Sequence, residues 1–139
     1  MSDVDRKASL GLSGLGLAAS GYLTYVHYAG VRVACPTSGC ERVQQSFYAT
    51  PHGVPLSLFG VLLFLAIGAL TLARGSRVRV LQIGLALAGG TVAVYLVGVQ
   101  LVSLGATCLW CLTTDVALVG LAGLAVVRLV ADSRRESAS

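Results

Sequence analysis

The chain has 139 residues, enough for one domain, with 55% hydrophobic and only 12% charged residues. Ordinary globular proteins are roughly a quarter charged, so this composition points away from a soluble protein and toward a membrane. The formal charge of +4 does not indicate nucleic acid, because the basic residues sit at segment ends with no stripe and no interleaved aromatics.

Four apolar segments follow one another, at about residues 8–29, 55–73, 80–104 and 108–131. About 20 helical residues at 1.5 Å rise cross a hydrocarbon core of about 30 Å. The expected fold is therefore an all-α integral membrane protein. It is a single domain of residues 1–139, built as a bundle of four transmembrane helices. The first segment reads as a retained span, since its apolar run is long and no small-x-small cleavage site precedes the loop. It carries Gly11, Gly14, Gly16 and Ser20, small residues that let helices approach closely. Tyr22, Tyr25 and Tyr28 near its far end read as an interfacial aromatic belt, with His27 among them.

Residues 30–54 form the longest polar interruption. Within it Cys35 and Cys40 flank a turn made by Pro36 and Gly39, across which a disulfide is feasible. Glu41 to Ala49 is a short amphipathic stretch, with Val43 and Phe47 at i, i+4, suited to lie as a helix on the membrane surface. Pro51, Gly53 and Pro55 break it, and Pro55 suits the first turn of the second segment. Arg74 to Arg77 make a tight turn into the third segment, and Ser103 to Thr107 suffice to enter the fourth. Segments two to four are thus expected to be antiparallel neighbours, with Thr107 as the N-cap of the last helix.

Eight of the ten lysines and arginines fall on one side of this arrangement, and only Arg32 and Arg42 on the other. Both termini are then expected to be cytoplasmic, with both cysteine pairs on the outer side, where disulfides persist.

The fourth segment opens with Cys108-Leu109-Trp110-Cys111, and a C-x-x-C at a helix start in an oxidising compartment is a redox signal. A helix N-terminus favours the thiolate of Cys108. Two other readings of four cysteines are a tetrahedral zinc site and a pair of structural staples. Asp115 lies at i+7 from Cys108, and Cys111 at i+3, so all three share one helix face. Asp115 would lie about 10 Å below the helix start, and carboxyls at such depth tend to face a bundle interior. It reads either as a proton carrier beside Cys111 or as a hydrogen-bond partner of Thr91, Tyr95 or another buried polar group. A dithiol delivering electrons into a membrane needs a lipid-soluble acceptor. A quinone, which takes two electrons and two protons, matches one dithiol oxidation.

The pattern resembles the vitamin K epoxide reductase family in its short bacterial form. The resemblance rests on Cys35 and Cys40, Arg42-Val43, Ser46, Pro55-Leu56-Ser57-Leu58-Phe59-Gly60, and Cys108-Leu109-Trp110-Cys111 followed by Thr113-Thr114. It implies a four-helix bundle around a quinone of menaquinone, ubiquinone or vitamin K type, with no metal. Cys111 would face the quinone with Cys108 as its shuttle partner; Cys40 would exchange with Cys108, and Cys35 would meet the soluble partner. Ser46, Leu56, Phe59, Tyr95, Leu96 and Asp115 match positions around the quinone. Leu56 stands where the vertebrate enzymes have a quinone-binding asparagine, and Asp115 where they have a tyrosine. Both departures favour a disulfide-forming enzyme of the bacterial cytoplasmic membrane. It would be fed by a separate thioredoxin-like protein outside the cytoplasm. The DsbB type runs the same chemistry on a similar bundle, with its C-x-x-C in the first loop, the reverse of the order here.

Overall fold

The computed structural model describes residues 3–30, 56–73, 75–105 and 108–138. Four helices account for nearly all of them: α1 (Asp3–Ala29), α2 (Leu56–Leu72), α3 (Ser76–Gly98) and α4 (Leu109–Ala138). These bounds follow the four apolar segments closely, with α4 running on for seven residues into a polar end. Residues 31–54, which include the amphipathic stretch, and Pro55, Arg74 and Thr107 lie outside the described residues.

Gly75, at φ 137°, lies in the turn between α2 and α3. Past Gly98, α3 widens into a π-helical stretch, Val99–Leu104, which stops at Gly105. Gly105 has φ 58° and its N–H bonds the carbonyl of Gln100. A left-handed backbone there is strained for any residue with a Cβ, which explains the glycine.

The helices run up-down-up-down. On α1 and α2, Ser13 meets Gly68, Gly16 meets Phe64 and Ser20 meets Gly60, an antiparallel register. On α3 and α4, Arg79 pairs with Asp132 and Gly90 faces Ala122. The heaviest packing is α3 on α4, α1 on α2 and α1 on α4, while α2 meets α3 more lightly. Segments two and four are therefore diagonal rather than adjacent, and α1 closes the ring between them.

Two glycines show why small residues are needed. A Cβ on Gly90 would stand 2.5 Å from the Cβ of Ala122, and a Cβ on Gly16 would overlap the ring of Phe64. Both allow close approach of helices that gain little from hydrophobic burial in lipid. Gly11 and Gly14 play no such part; nothing lies within 4 Å of where their Cβ would be.

Phe64, Ile67, Ile83, Ala86, Ala93, Ala117, Leu118, Leu121 and Ala125 form the core. The outside is apolar as well, with Leu62, Leu81, Val92, Val94, Val116 and Val127 all at least half exposed. A soluble monomer rarely presents so continuous an apolar exterior. Two helical stretches, Ser76–Ser103 and Leu109–Ala138, are long and apolar enough to cross a membrane, and α2 is apolar but shorter.

At the end of the bundle holding the chain's C-terminus, one polar chain touches all four helices. Arg128 on α4 donates to Gln82 on α3 at 3.0 Å and to Ser9 on α1 at 2.8 Å. Gln82 in turn donates to the hydroxyl of Thr71 on α2. Arg128, expected as a boundary charge, is instead only 6% exposed.

Candidate functional site

The C-x-x-C sits where α4 begins. Cys108 is itself the capping residue of that helix: its carbonyl accepts from the N–H of Leu112 at 2.8 Å, and its Sγ accepts from the N–H of Cys111 at 3.4 Å. The sulfur thus takes the place that a serine or aspartate oxygen fills at an ordinary helix start. The expectation had given this role to Thr107. Cys108 is fully buried and Cys111 half-buried.

Trp110, between the two cysteines, stacks on Tyr22 of α1 with ring centroids 4.4 Å apart. This contact fixes the start of α4 against α1. Tyr22 therefore belongs to the frame of the site, whereas Tyr25 and Tyr28 are exposed, as a belt requires.

Asp115 is buried one turn below Cys111, and its partner is neither Thr91 nor Tyr95. Gln100 Nε2 donates to Asp115 Oδ2 at 3.3 Å. Thr91 bonds the carbonyl of Leu87, one turn back on its own helix. Gln100 also accepts, through Oε1, from the backbone N–H of Cys108 at 2.9 Å. The π-helical stretch carries this glutamine, and such wide turns recur at functional sites. Nothing in the sequence reading singled it out. The available signal was an amide near the end of an otherwise apolar segment, eight residues before Cys108.

A cavity of about 310 Å³ opens beside these groups, within the range of small-molecule sites. All four helices line it: Ser20 and Leu23; Leu56, Ser57, Phe59, Gly60 and Leu63; Leu85, Ala88, Gly89, Val92, Leu96, Val99 and Gln100; Cys111, Thr114, Asp115 and Leu118. Its walls are mostly apolar. Ser20 is fully buried, and among the described residues its hydroxyl has no hydrogen-bond partner. The nearby Ser57 hydroxyl accepts from Thr24 at 3.0 Å.

Of the residues expected around this site, Leu56, Phe59, Leu96, Cys111 and Asp115 line one cavity, and Cys108 is joined to it through Gln100. Tyr95 is 62% exposed and is not among the lining residues. Adjacent helical residues diverge by about 100°, so Leu96 facing inward turns Tyr95 out. Cys35, Cys40 and Ser46 lie outside the described residues.

The profile of the Vitamin K epoxide reductase family matches residues 7–126, and the chain belongs to that family. No curated relative matches the chain.

Proposed function

Proceeding from that membership, which makes the chain a membrane thiol oxidoreductase, we propose that it oxidises a thioredoxin-like protein and passes the electrons to a quinone. The supporting observation is that Cys111 and Asp115 line one largely apolar cavity at the start of α4, with Cys108 behind them. Ser20 adds a buried hydroxyl without a protein partner among the described residues, as a ligand carbonyl would require.

Electrons enter at Cys35 from the soluble dithiol, pass through Cys40, and reach Cys108 by thiol–disulfide exchange. When the sulfurs of Cys108 and Cys111 join, two electrons and two protons leave, which is what converts a quinone to a hydroquinone. The N–H of Cys111 aimed at Cys108 Sγ steadies that sulfur while it carries charge. Cys111 faces the cavity, and Asp115, one turn deeper, holds a proton at its carboxyl. Leu56, Phe59 and Leu96 exclude water from the same space.

This reading makes the chain a four-span protein of a bacterial cytoplasmic membrane, with both termini inside and the cysteines outside. A DsbB-type relay is disfavoured by the order of the pairs, since the C-x-x-C here lies in the last helix. The test is oxidation of a purified thioredoxin-like dithiol by the protein with a short-chain quinone present. Quinone-dependent turnover that disappears in Cys111→Ser supports the reading. Turnover that survives Cys111→Ser, or that needs no quinone, refutes it.

A further inference from the structure

Gln100 holds two parts of the site with one side chain. We propose that it is the positioning residue of this centre. Its amide fixes the first residue of the C-x-x-C and the Asp115 carboxyl in a single geometry, so that neither moves without the other.

The orientation of the amide follows from chemistry. The backbone N–H of Cys108 can only donate, so the atom of Gln100 lying 2.9 Å from it must be the carbonyl Oε1. Nε2 is then turned to Asp115, where it donates to Oδ2 at 3.3 Å. Oδ2 is thereby committed as an acceptor, and a proton on Asp115 is carried by Oδ1. The N–H of a helix-capping residue has no intrahelical acceptor, and Cys108 is fully buried. Gln100 meets that donor inside an apolar setting, where a hydrogen bond lost on one side is costly. The widened turn at Val99–Leu104 and the Gly105 N–H on the Gln100 carbonyl hold the backbone that presents the amide. Gln100 is 3% exposed and lines the cavity without being a redox group.

The kinetic arm of the test rests on the functional reading above; its chemical arm does not. Two variants of the full chain in detergent separate the two hydrogen bonds. Gln100→Met keeps the length and removes both. Gln100→Glu keeps an acceptor for Cys108 and replaces the amide donor with a second carboxyl that shares a proton with Asp115. In the chemical arm, reduced protein is alkylated with an uncharged maleimide and Cys108 modification is followed by mass spectrometry. Gln100→Met should raise the rate about 5–30-fold, the change in opening that follows loss of one or two kcal/mol, while Gln100→Glu stays within about twofold of wild type. In the kinetic arm, dithiothreitol is the donor and a short-chain ubiquinone the acceptor. Gln100→Glu should lower kcat about tenfold with KM unchanged. On an Asp115→Asn background the same change should cost less than about twofold, because it acts through Asp115.

Equal alkylation rates in wild type and Gln100→Met would overturn the anchoring of Cys108. A kcat in Gln100→Glu that falls only as far as the folded fraction, measured by melting, would reduce Gln100 to a structural contact and overturn its positioning of Asp115. If wild-type protein reduces no quinone, the functional reading fails by itself, and the alkylation result still decides whether Gln100 anchors Cys108.

Discussion

Replacing Arg128 with methionine tests whether the polar chain at the C-terminal end of the bundle holds the four helices together. The guanidinium donates to Gln82 at 3.0 Å and to Ser9 at 2.8 Å, and both acceptors are nearly or fully buried. Methionine retains most of the apolar stem, so the packing loss is small. Hydrogen bonds from a charged donor contribute about 1.5–3 kcal/mol each, and the two acceptors would be left unmet. Against this, a desolvated guanidinium no longer has to be buried, which returns part of the cost. The net loss is about 2–4 kcal/mol, or roughly a 10 °C fall in melting temperature for a domain of this size. Arg128→Lys should fall between, because a single ammonium cannot fork to Gln82 and Ser9 together. Arg135→Met, at an exposed position on the same helix, is the control and should shift melting by no more than about 2 °C. Thermal unfolding in detergent, followed by the loss of monodisperse protein, gives the measurement. Since Gln82 and Gln100 are about 27 Å apart along α3, quinone reduction by the surviving folded protein should stay near wild type. A melting temperature for Arg128→Met within about 2 °C of wild type would refute the clamp.

Four further outcomes follow from the site and its loop. Asp115→Asn keeps size and polarity but removes the titratable proton, so quinone reduction should slow by about 10²–10⁴-fold while the fold persists; wild-type turnover there would end the proton-carrier role. Asp115→Leu should in addition lower the melting temperature, because Gln100 loses its acceptor. Cys35→Ser should abolish oxidation of the thioredoxin-like partner yet leave turnover with dithiothreitol, and equal loss with both donors would refute the division of labour. After mild reduction, an impermeant maleimide should label Cys35 in intact cells; labelling only in broken cells would reverse the orientation inferred from the arginines.

Much of this architecture is written in the order of the residues. Four apolar runs separated by polar breaks define four helices because a backbone in lipid must satisfy its own hydrogen bonds. A C-x-x-C at the head of the last run, with Asp115 two turns below, follows from helical spacing alone and survives in the structure. Which way each helix turns is another matter. The helices are apolar on nearly every side, and lipid and bundle interior are equally good solvents for leucine, so hydrophobic periodicity carries little facing information. Only the tertiary register decided that Leu96 looks into the cavity and Tyr95 away, that Tyr22 stacks on Trp110, and that Arg128 points inward to Gln82 and Ser9. The partner of Asp115 depended on a widened turn that no residue in Val99–Leu104 announces, and on α3 sliding along α4 until Gln100 met both Cys108 and Asp115. A buried polar group takes whichever partner the packing brings within reach, because leaving it unmet costs more than any local preference.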